Sequence, residues 1–149
     1  MPLIGLEKVA KAIVDIKEDT NDFVKSVWVN GLTDIVTATP VHFEDGGRLR
    51  NNWFLTTRAP SKQTRGKNKR GNASYSSIGK MPDYILDKTV YFTNNMDYAT
   101  VIEYGGYPQN PKYGTWTGSS FQKLSQNGYS KQAPAGMVRI AIKKMANKL

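Results

Sequence analysis

The first quarter of the chain carries apolar side chains mostly at steps of three and four residues. The apolar positions are Leu6, Val9, Ile13, Ile16, Phe23, Val27, Leu32 and Ile35. This spacing predicts a helix from residue 3 to about residue 36. If it is continuous, about 33 residues at about 1.5 Å each give a rod roughly 50 Å long. Such a rod is longer than its own domain, and we expect it to reach a neighbouring subunit.

Two local features bear on this helix. Residues 19–22, DTND, are poor helix formers and predict a bend or a cap. Pro40 excludes helical geometry at Thr39, so the helix is expected to end before that residue.

Two segments with aromatic and β-branched centres predict strands. They are residues 50–57, RNNWFLTT, and residues 88–95, KTVYFTNN. We expect them to be antiparallel neighbours, because the segment between them has no helical period and is interpreted as a loop.

Two further helices are predicted in the second half. Residues 98–104 form a short one, with Asp97 as its N-cap and a stop at Gly105 and Gly106. Residues 135–147 form the last one, with Pro134 suited to its first turn.

These elements define a single domain, residues 1–149, of the α+β class. In the predicted fold, a long N-terminal helix and a C-terminal helix pack on a small antiparallel sheet, with two long flexible loops. Trp53 and Tyr98 are expected in or near the core.

The first of the two loops, residues 58–86, is strongly basic. It has no acid between positions 58 and 80, where the candidate contact residues are Arg58, Lys62, Arg65, Lys67, Lys69 and Arg70. Because Gly, Ser, Asn and Gln fill much of the rest, we expect it to bury no core and to be mobile when unbound.

The second loop, residues 105–132, is an irregular arm rich in Gly, Pro and aromatic residues. Its candidate contact residues are Tyr107, Tyr113, Trp116 and Phe121. Aromatic side chains at this density in a polar loop tend to anchor either on the parent domain or on a partner.

The net charge of +9 is concentrated in the second part of the chain. Residues 1–46 hold four lysines and eight acids, a net of −4; residues 47–149 hold seventeen Lys and Arg and four acids, a net of +13. This asymmetry indicates contact with nucleic acid or with an acidic protein surface. The alternative is a solvated basic face.

Catalytic and metal chemistry have little support in the sequence. The chain has no Cys, which excludes disulfides and thiolate metal sites, and its one histidine, His42, lies in a polar turn. There is no phosphate-binding glycine motif. We therefore expect no enzyme activity, no metal and no cofactor. No apolar run reaches the ~18 to 20 residues of a membrane span, and acids stand where a signal peptide would be apolar.

Three charged residues outside the loops are candidates for contacts between subunits. Arg48 and Arg50 alternate with Leu49 and would share one face of a strand. Glu103 is the one acid in a mostly apolar stretch and needs a cation, for which Arg48, Arg50 and Arg139 are candidates. A structural salt bridge and an intersubunit contact both remain open.

Three blocks of sequence, taken together, resemble the tail-completion (neck, head-to-tail joining) family of tailed bacteriophages. They are TPV…GGRLRNNW at residues 39–53, DYATVIEYG at residues 97–105 and QAPAGMVR at residues 132–139. They occur in the family's order and span roughly two thirds of the chain. The first block departs from the pattern, with two residues more than the usual tight turn before Gly46. None of the three is a catalytic signature.

The resemblance implies a small α+β subunit of a ring, usually of six copies, between the DNA-filled head and the tail. The implied partners are neighbouring copies of itself, the head connector or head-closure protein, the tail terminator or tail tube protein, and DNA in the channel. No membrane is involved, and the protein would reside in the virion after assembly in the host cytoplasm. A sequence-independent nucleic-acid-binding protein is the alternative, and a carboxylate-metal nuclease is a remote third.

Overall fold

The computed structural model describes residues 5–42, 46–107, 114–116 and 119–149. Its longest element is helix α1, Leu6–Ala38, with 33 residues, which corresponds to roughly 50 Å. Thr39 then has an extended backbone, with ψ of 124°, as expected before Pro40. The predicted long N-terminal helix is confirmed.

Helix α1 runs without interruption through residues 19–22, where the sequence predicted a bend or a cap. Asn21 is the first buried residue of the helix. Its Nδ2 donates to the carbonyl oxygen of Asp83 at 2.7 Å, and its Oδ1 accepts from the N–H of Ile85 at 2.8 Å. Because Asp83 and Ile85 satisfy the hydrogen bonds of this side-chain amide, the amide does not compete for the backbone groups of the helix. The helix joins the body of the domain at this point.

Strands β1, Trp53–Thr56, and β2, Tyr91–Asn94, form an antiparallel pair, as predicted. In their register Trp53 lies opposite Asn94. β1 is shorter than expected, because Arg50–Asn52 form a 3-10 turn that leads into it.

Helix α2, Asn72–Ile78, lies where the sequence predicted only loop. That prediction was wrong, and so was the expectation that the segment buries no core, because the last residue of α2 is buried. Ser74 Oγ accepts from the N–H of Trp53 at 3.0 Å, and Ser77 Oγ accepts from the N–H of Leu55 at 2.9 Å. The two serines thus satisfy the edge of β1 that β2 leaves free.

Helix α3, Ala99–Tyr104, matches the short helix that the sequence predicted. It ends at Gly105, where φ is 81°, a left-handed conformation that glycine adopts at little cost. The predicted N-cap differs, because Tyr98 occupies that position in place of Asp97 and no side chain caps the helix.

The aromatic arm, residues 105–132, was expected to be irregular. In its described part it contains two antiparallel hairpins of two-residue strands. The strands are β3, Thr115–Trp116, β4, Phe121–Gln122, β5, Ser125–Gln126, and β6, Tyr129–Ser130.

Helix α4, Val138–Ala146, is the predicted C-terminal helix, but it begins three residues later than expected. Gly136 has a φ of 83°, and a Cβ there would lie 2.5 Å from the carbonyl oxygen of Glu103. The chain is therefore still turning at this residue, and Pro134 precedes the helix instead of opening it. α4 packs on the C-terminal half of α1, where a Cβ on Gly31 would overlap the Met145 side chain.

One core joins the four helices and the sheet in an α+β fold. Its buried apolar residues are Leu32, Ile35, Val36, Leu49, Trp53, Leu55, Ile78, Met81, Ile85, Ile102, Ala133, Met137 and Ala141. Tyr98, also expected in or near the core, is instead 42% exposed. Within the described ranges, no helix is long and apolar enough to cross a membrane.

Trp53 is central to this core, as predicted. Its side chain is 5% exposed and stacks on Phe92 with ring centroids 5.0 Å apart. Its indole N–H donates to Thr39 Oγ1 at 2.9 Å.

We predict that Trp53→Ala lowers the free energy of unfolding by about 3 to 5 kcal/mol, because it leaves a cavity in the core. Urea denaturation followed by circular dichroism measures this loss. Trp28→Ala, at a partly buried position on α1, is the matched control and should cost less. A loss below about 1 kcal/mol for Trp53→Ala, within the range of surface substitutions, would contradict its place in the core.

Candidate functional site

Asparagine side chains hold the backbone of the basic loop. Asn51 Nδ2 donates to a loop carbonyl at 2.9 Å. Asn52 donates to the carbonyl oxygen of Arg65 at 3.0 Å and accepts from its N–H at 2.5 Å. Asn95 Nδ2 donates to two carbonyl oxygens within residues 61–63, at 2.9 and 2.8 Å. The loop therefore follows a defined path beside the sheet and is better anchored than its composition indicated.

Arg65 is partly buried and packs against the domain. Its guanidinium carbon lies 3.8 Å from the centroid of the Phe54 ring, and Nη1 donates to the carbonyl oxygen of Trp53 at 3.1 Å. Burial lowers the pKa of this guanidinium. The side chain attaches the loop to β1, and the contact with DNA or a partner that the sequence suggested stays a prediction.

The other predicted contact residues of the loop are exposed. They are Arg58, Lys62, Lys67, Lys69 and Arg70, and we call them the basic surface. Because the sequence has no acid between positions 58 and 80, their charges are not offset within the loop. Such a surface attracts phosphates or acidic side chains.

Arg48 and Arg50 do not share one face of a strand, because both lie in the turn before β1. Arg50 Nη2 donates to the carbonyl oxygens of Thr39 at 2.7 Å and Thr37 at 3.1 Å. These carbonyls lie at the C-terminal end of α1, where the helix dipole favours a cation. Arg50 thus has a structural role, whereas Arg48 is exposed.

The buried carboxylate of Glu103, which is 6% exposed, binds the N-terminal end of α4. Oε2 accepts from the N–H of Met137 at 2.7 Å and of Val138 at 2.8 Å. Oε1 accepts from the N–H and the Nε of Arg139, both at 3.0 Å. Of the three cations that the sequence offered, Arg139 is therefore the partner. The carboxylate also satisfies three N–H groups that have no acceptor within the helix.

These bonds set the ionisation of Glu103. Burial by itself raises the pKa of the carboxyl, but the N–H groups of Met137, Val138 and Arg139 and the Arg139 side chain together hold it below its ordinary value of 4.5. Because hydrogen bonds to the charged form stabilise it, the group is ionised at neutral pH. It acts as an anchor and is poorly suited to general acid catalysis.

The aromatic arm is anchored in part on its own domain. Tyr107 is partly buried, packs against the core and donates its N–H to the carbonyl oxygen of Gly128 at 3.0 Å. Phe121 is exposed and Trp116 belongs to β3. Tyr113 lies outside the described residues.

A cavity of about 460 Å³ lies between the turn before β1, helix α3 and the hairpin of β5 and β6. His42, Arg48 and Lys123 contribute to its lining, together with Tyr98 and Tyr107. Burial raises the pKa of both phenols, so they remain hydrogen-bond donors at neutral pH. Among the described lining residues, Arg48 and Lys123 carry positive charges and the two phenols can donate hydrogen bonds.

Metal binding has no support in the described part of the chain, where no three His, Asp or Glu side chains come together. His42 is exposed. The expected lack of catalytic activity and of a cofactor stays a prediction.

Charge and hydrophobic periodicity do not single out the asparagines that organise this site. A signal was present, because Asn-Asn pairs occur at residues 51–52 and 94–95, at the ends of two strands predicted to pair. Amides at such positions need partners when buried. Here they bond the loop, and Asn94 Nδ2 bonds the carbonyl oxygen of Leu49 at 2.9 Å.

Comparison of the chain with models of protein families, with curated proteins and with solved structures found no match in any of the three. Its function therefore has to be inferred from its own residues and from the order of the three sequence blocks.

We predict that Glu103→Gln lowers the free energy of unfolding at neutral pH by about 1 to 3 kcal/mol. The reason is that N–H groups at the start of α4 and the Arg139 side chain lose a negatively charged acceptor. The folded-state pKa of Glu103 is depressed, so its contribution is present above 4.5 and is lost as the pH falls through the folded-state value. The wild type and the variant should therefore converge in acid.

Urea denaturation at a series of pH values, from neutral to about pH 3, measures this difference. Glu7→Gln, at an exposed position on α1, is the control and should change little. A difference between wild type and Glu103→Gln that stays constant over the whole range would show that the charge is irrelevant.

We predict that the basic surface binds duplex DNA without sequence preference, with a log-log salt slope near −0.9 for each phosphate neutralised. Replacing Arg58, Lys62 and Arg70 with Ser should flatten the slope by up to about 2.7 units on the same principle. Arg65 is left intact, because it fastens the loop. Fluorescence anisotropy at a series of salt concentrations measures the slope.

The matched control removes three exposed lysines of α1, Lys8, Lys11 and Lys17, and with them the same total charge. This control should leave the slope nearly unchanged. Equal slopes for wild type and the loop variant would assign the basic surface to a protein partner.

Proposed function

We propose that this chain is a structural virion protein of a tailed phage that forms a ring at the head-to-tail junction. The ring, of six copies by resemblance, joins the head connector to the tail and leaves a channel for DNA. The observation that carries this proposal is that the three resembling blocks, far apart in sequence, are bonded to one another in the fold.

The first and third blocks meet through Thr39 and Gln132. Thr39 Oγ1 contacts the Met137 sulfur at 3.6 Å. The side chain of Gln132 bonds both backbone groups of Val41, accepting from its N–H at 2.8 Å and donating to its carbonyl oxygen at 2.9 Å. This pairing fixes the chain after α1 against the segment before α4.

The second and third blocks meet through Glu103 and the N-terminal end of α4. The blocks thus supply core residues, hydrogen bonds and a helix anchor, and their polar groups are engaged with each other. This favours interpreting them as the signature of a scaffold over a site for chemistry.

A scaffold at the junction has protein partners on both sides and DNA in its channel. Head connector or head-closure protein would lie on one side, and tail terminator or tail tube protein on the other. DNA passing through the channel, or an acidic ring surface, would meet the basic surface. Assembly in the host cytoplasm and residence in the virion follow from this role.

The basic surface also supports a second candidate, a sequence-independent nucleic-acid-binding protein. It accounts for the charge of the loop. It gives no reason for the order of the three blocks, and we rank it second.

We predict that deleting the gene yields full heads and separate tails, because the joint between them is not completed. Electron microscopy of lysates, with the intact gene supplied in trans as the control, measures this outcome. Normal virions from the deletion would reject the proposed function.

A further inference from the structure

The N-terminal half of α1 is exposed on every side. All positions from Leu6 to Thr20 are exposed, and the body of the domain begins to cover the helix at Asn21. About 15 residues, or roughly 22 Å of helix, thus extend beyond the domain. A helix segment of this length has little stability without packing.

This extension carries an unpartnered apolar stripe. Its members, at steps of three and four residues, are Leu6, Val9, Ile13 and Ile16, and Phe23 continues it. Leu6 is 60% exposed and Ile16 is 64% exposed. The steps are those of a seam that packs against a complementary surface. We call these five residues the α1 stripe.

An apolar groove of about 420 Å³ lies elsewhere on the same chain, between the C-terminal half of α1 and α4. Its described lining consists entirely of apolar residues: Trp28, Leu32, Ile35, Trp53, Phe92, Val138, Ile142, Met145, Ala146 and Leu149. Ile142 is 55% exposed. We call it the α1/α4 groove.

The α1 stripe cannot fill the α1/α4 groove of its own chain. Ile16 and Trp28 lie on one continuous helix, twelve residues or about 18 Å apart. Because the stripe and the groove wall belong to the same rod, only another molecule can bring them together.

The charges around the two surfaces are opposite. Residues 6–22 contain five acids and three lysines, a net of −2, whereas residues 138–149 contain four Lys and Arg and no acid, a net of +4. Opposite charges steer two surfaces into register. Two α1 stripes facing each other would lack this complementarity.

We infer that the α1 stripe of one copy of this chain packs into the α1/α4 groove of a second copy. The contact joins two different surfaces, so each copy can donate its stripe to one neighbour and receive the stripe of another. Repetition of such a contact generates a ring where the rotation closes and a filament where it does not. The inference deepens the proposed ring and rests on the proposed function only for the number of copies.

Site-directed disulfide trapping tests this contact, since the natural chain has no cysteine. The variant Ile16→Cys/Ile142→Cys should form a ladder of disulfide-linked oligomers under mild oxidation, seen on non-reducing gels. Both side chains are more than half exposed, so the substitutions spare the core. A bond within one chain is excluded by the distance along α1, because a disulfide requires Cα atoms within about 7 Å.

The matched control is Val14→Cys/Ile142→Cys. Val14 is 51% exposed but lies about 100° round the helix from Ile13, outside the stripe. This control variant should form few disulfide-linked oligomers. Adding Val9→Asp to the first pair should reduce the cross-linked yield about tenfold, since an ionised carboxylate would enter an apolar groove. Val14→Asp should not reduce it.

Other outcomes overturn the inference. Dimers of the single variant Ile16→Cys, without a ladder from the pair, would show that two stripes pack together. No cross-link from either pair at millimolar protein, where even weak contacts are populated, would assign the stripe to another protein or to a lipid surface. A missing ladder with a neck ring visible in virions would reject this contact and leave the proposed function standing. A ladder with normal virions from the gene deletion would support this contact and reject the proposed function.

Discussion

The buried carboxylate of Glu103 is the interaction on which the rest of the fold depends. It comes from α3 and accepts three backbone N–H groups at the start of α4, with Arg139 closing the arrangement from the exposed side. A carboxylate removed from water is stable only if such donors replace its hydration. The donors in turn fix where α4 begins, and α4 covers the C-terminal half of α1. The position of this acid therefore helps to fix how α4 packs on α1.

The sheet shows how a small domain compensates for having only two central strands. A two-stranded sheet is marginal alone, and here polar side chains complete it. The serines of α2 bond the free edge of β1, and asparagines beside both strands bond the basic loop. Because these bonds use short side chains close to the backbone, the loop is held near the sheet, and Arg65 adds a contact to β1 while Arg58, Lys62 and Arg70 are exposed.

The exposed surfaces have different electrostatic characters. The extended half of α1 is acidic with an apolar stripe, whereas the loop and α4 are basic. In the proposed function, contact with other copies and contact with DNA or other rings would use these separate surfaces. The Glu103 anchor belongs to neither of them.

The sequence by itself determined the long helix, the two paired strands, the short α3 and the central tryptophan, since these elements follow from local residue patterns. It also located the basic loop and named Arg139 among the partners of Glu103. It missed α2, the asparagine anchors and the late start of α4, and it treated Arg65 and Arg50 as surface contacts. These features depend on which distant backbone groups lack a hydrogen-bond partner, and hydrophobic periodicity does not report this. Only the tertiary structure decided these features, because the partner of a polar side chain depends on distances and directions that exist only after the chain has packed.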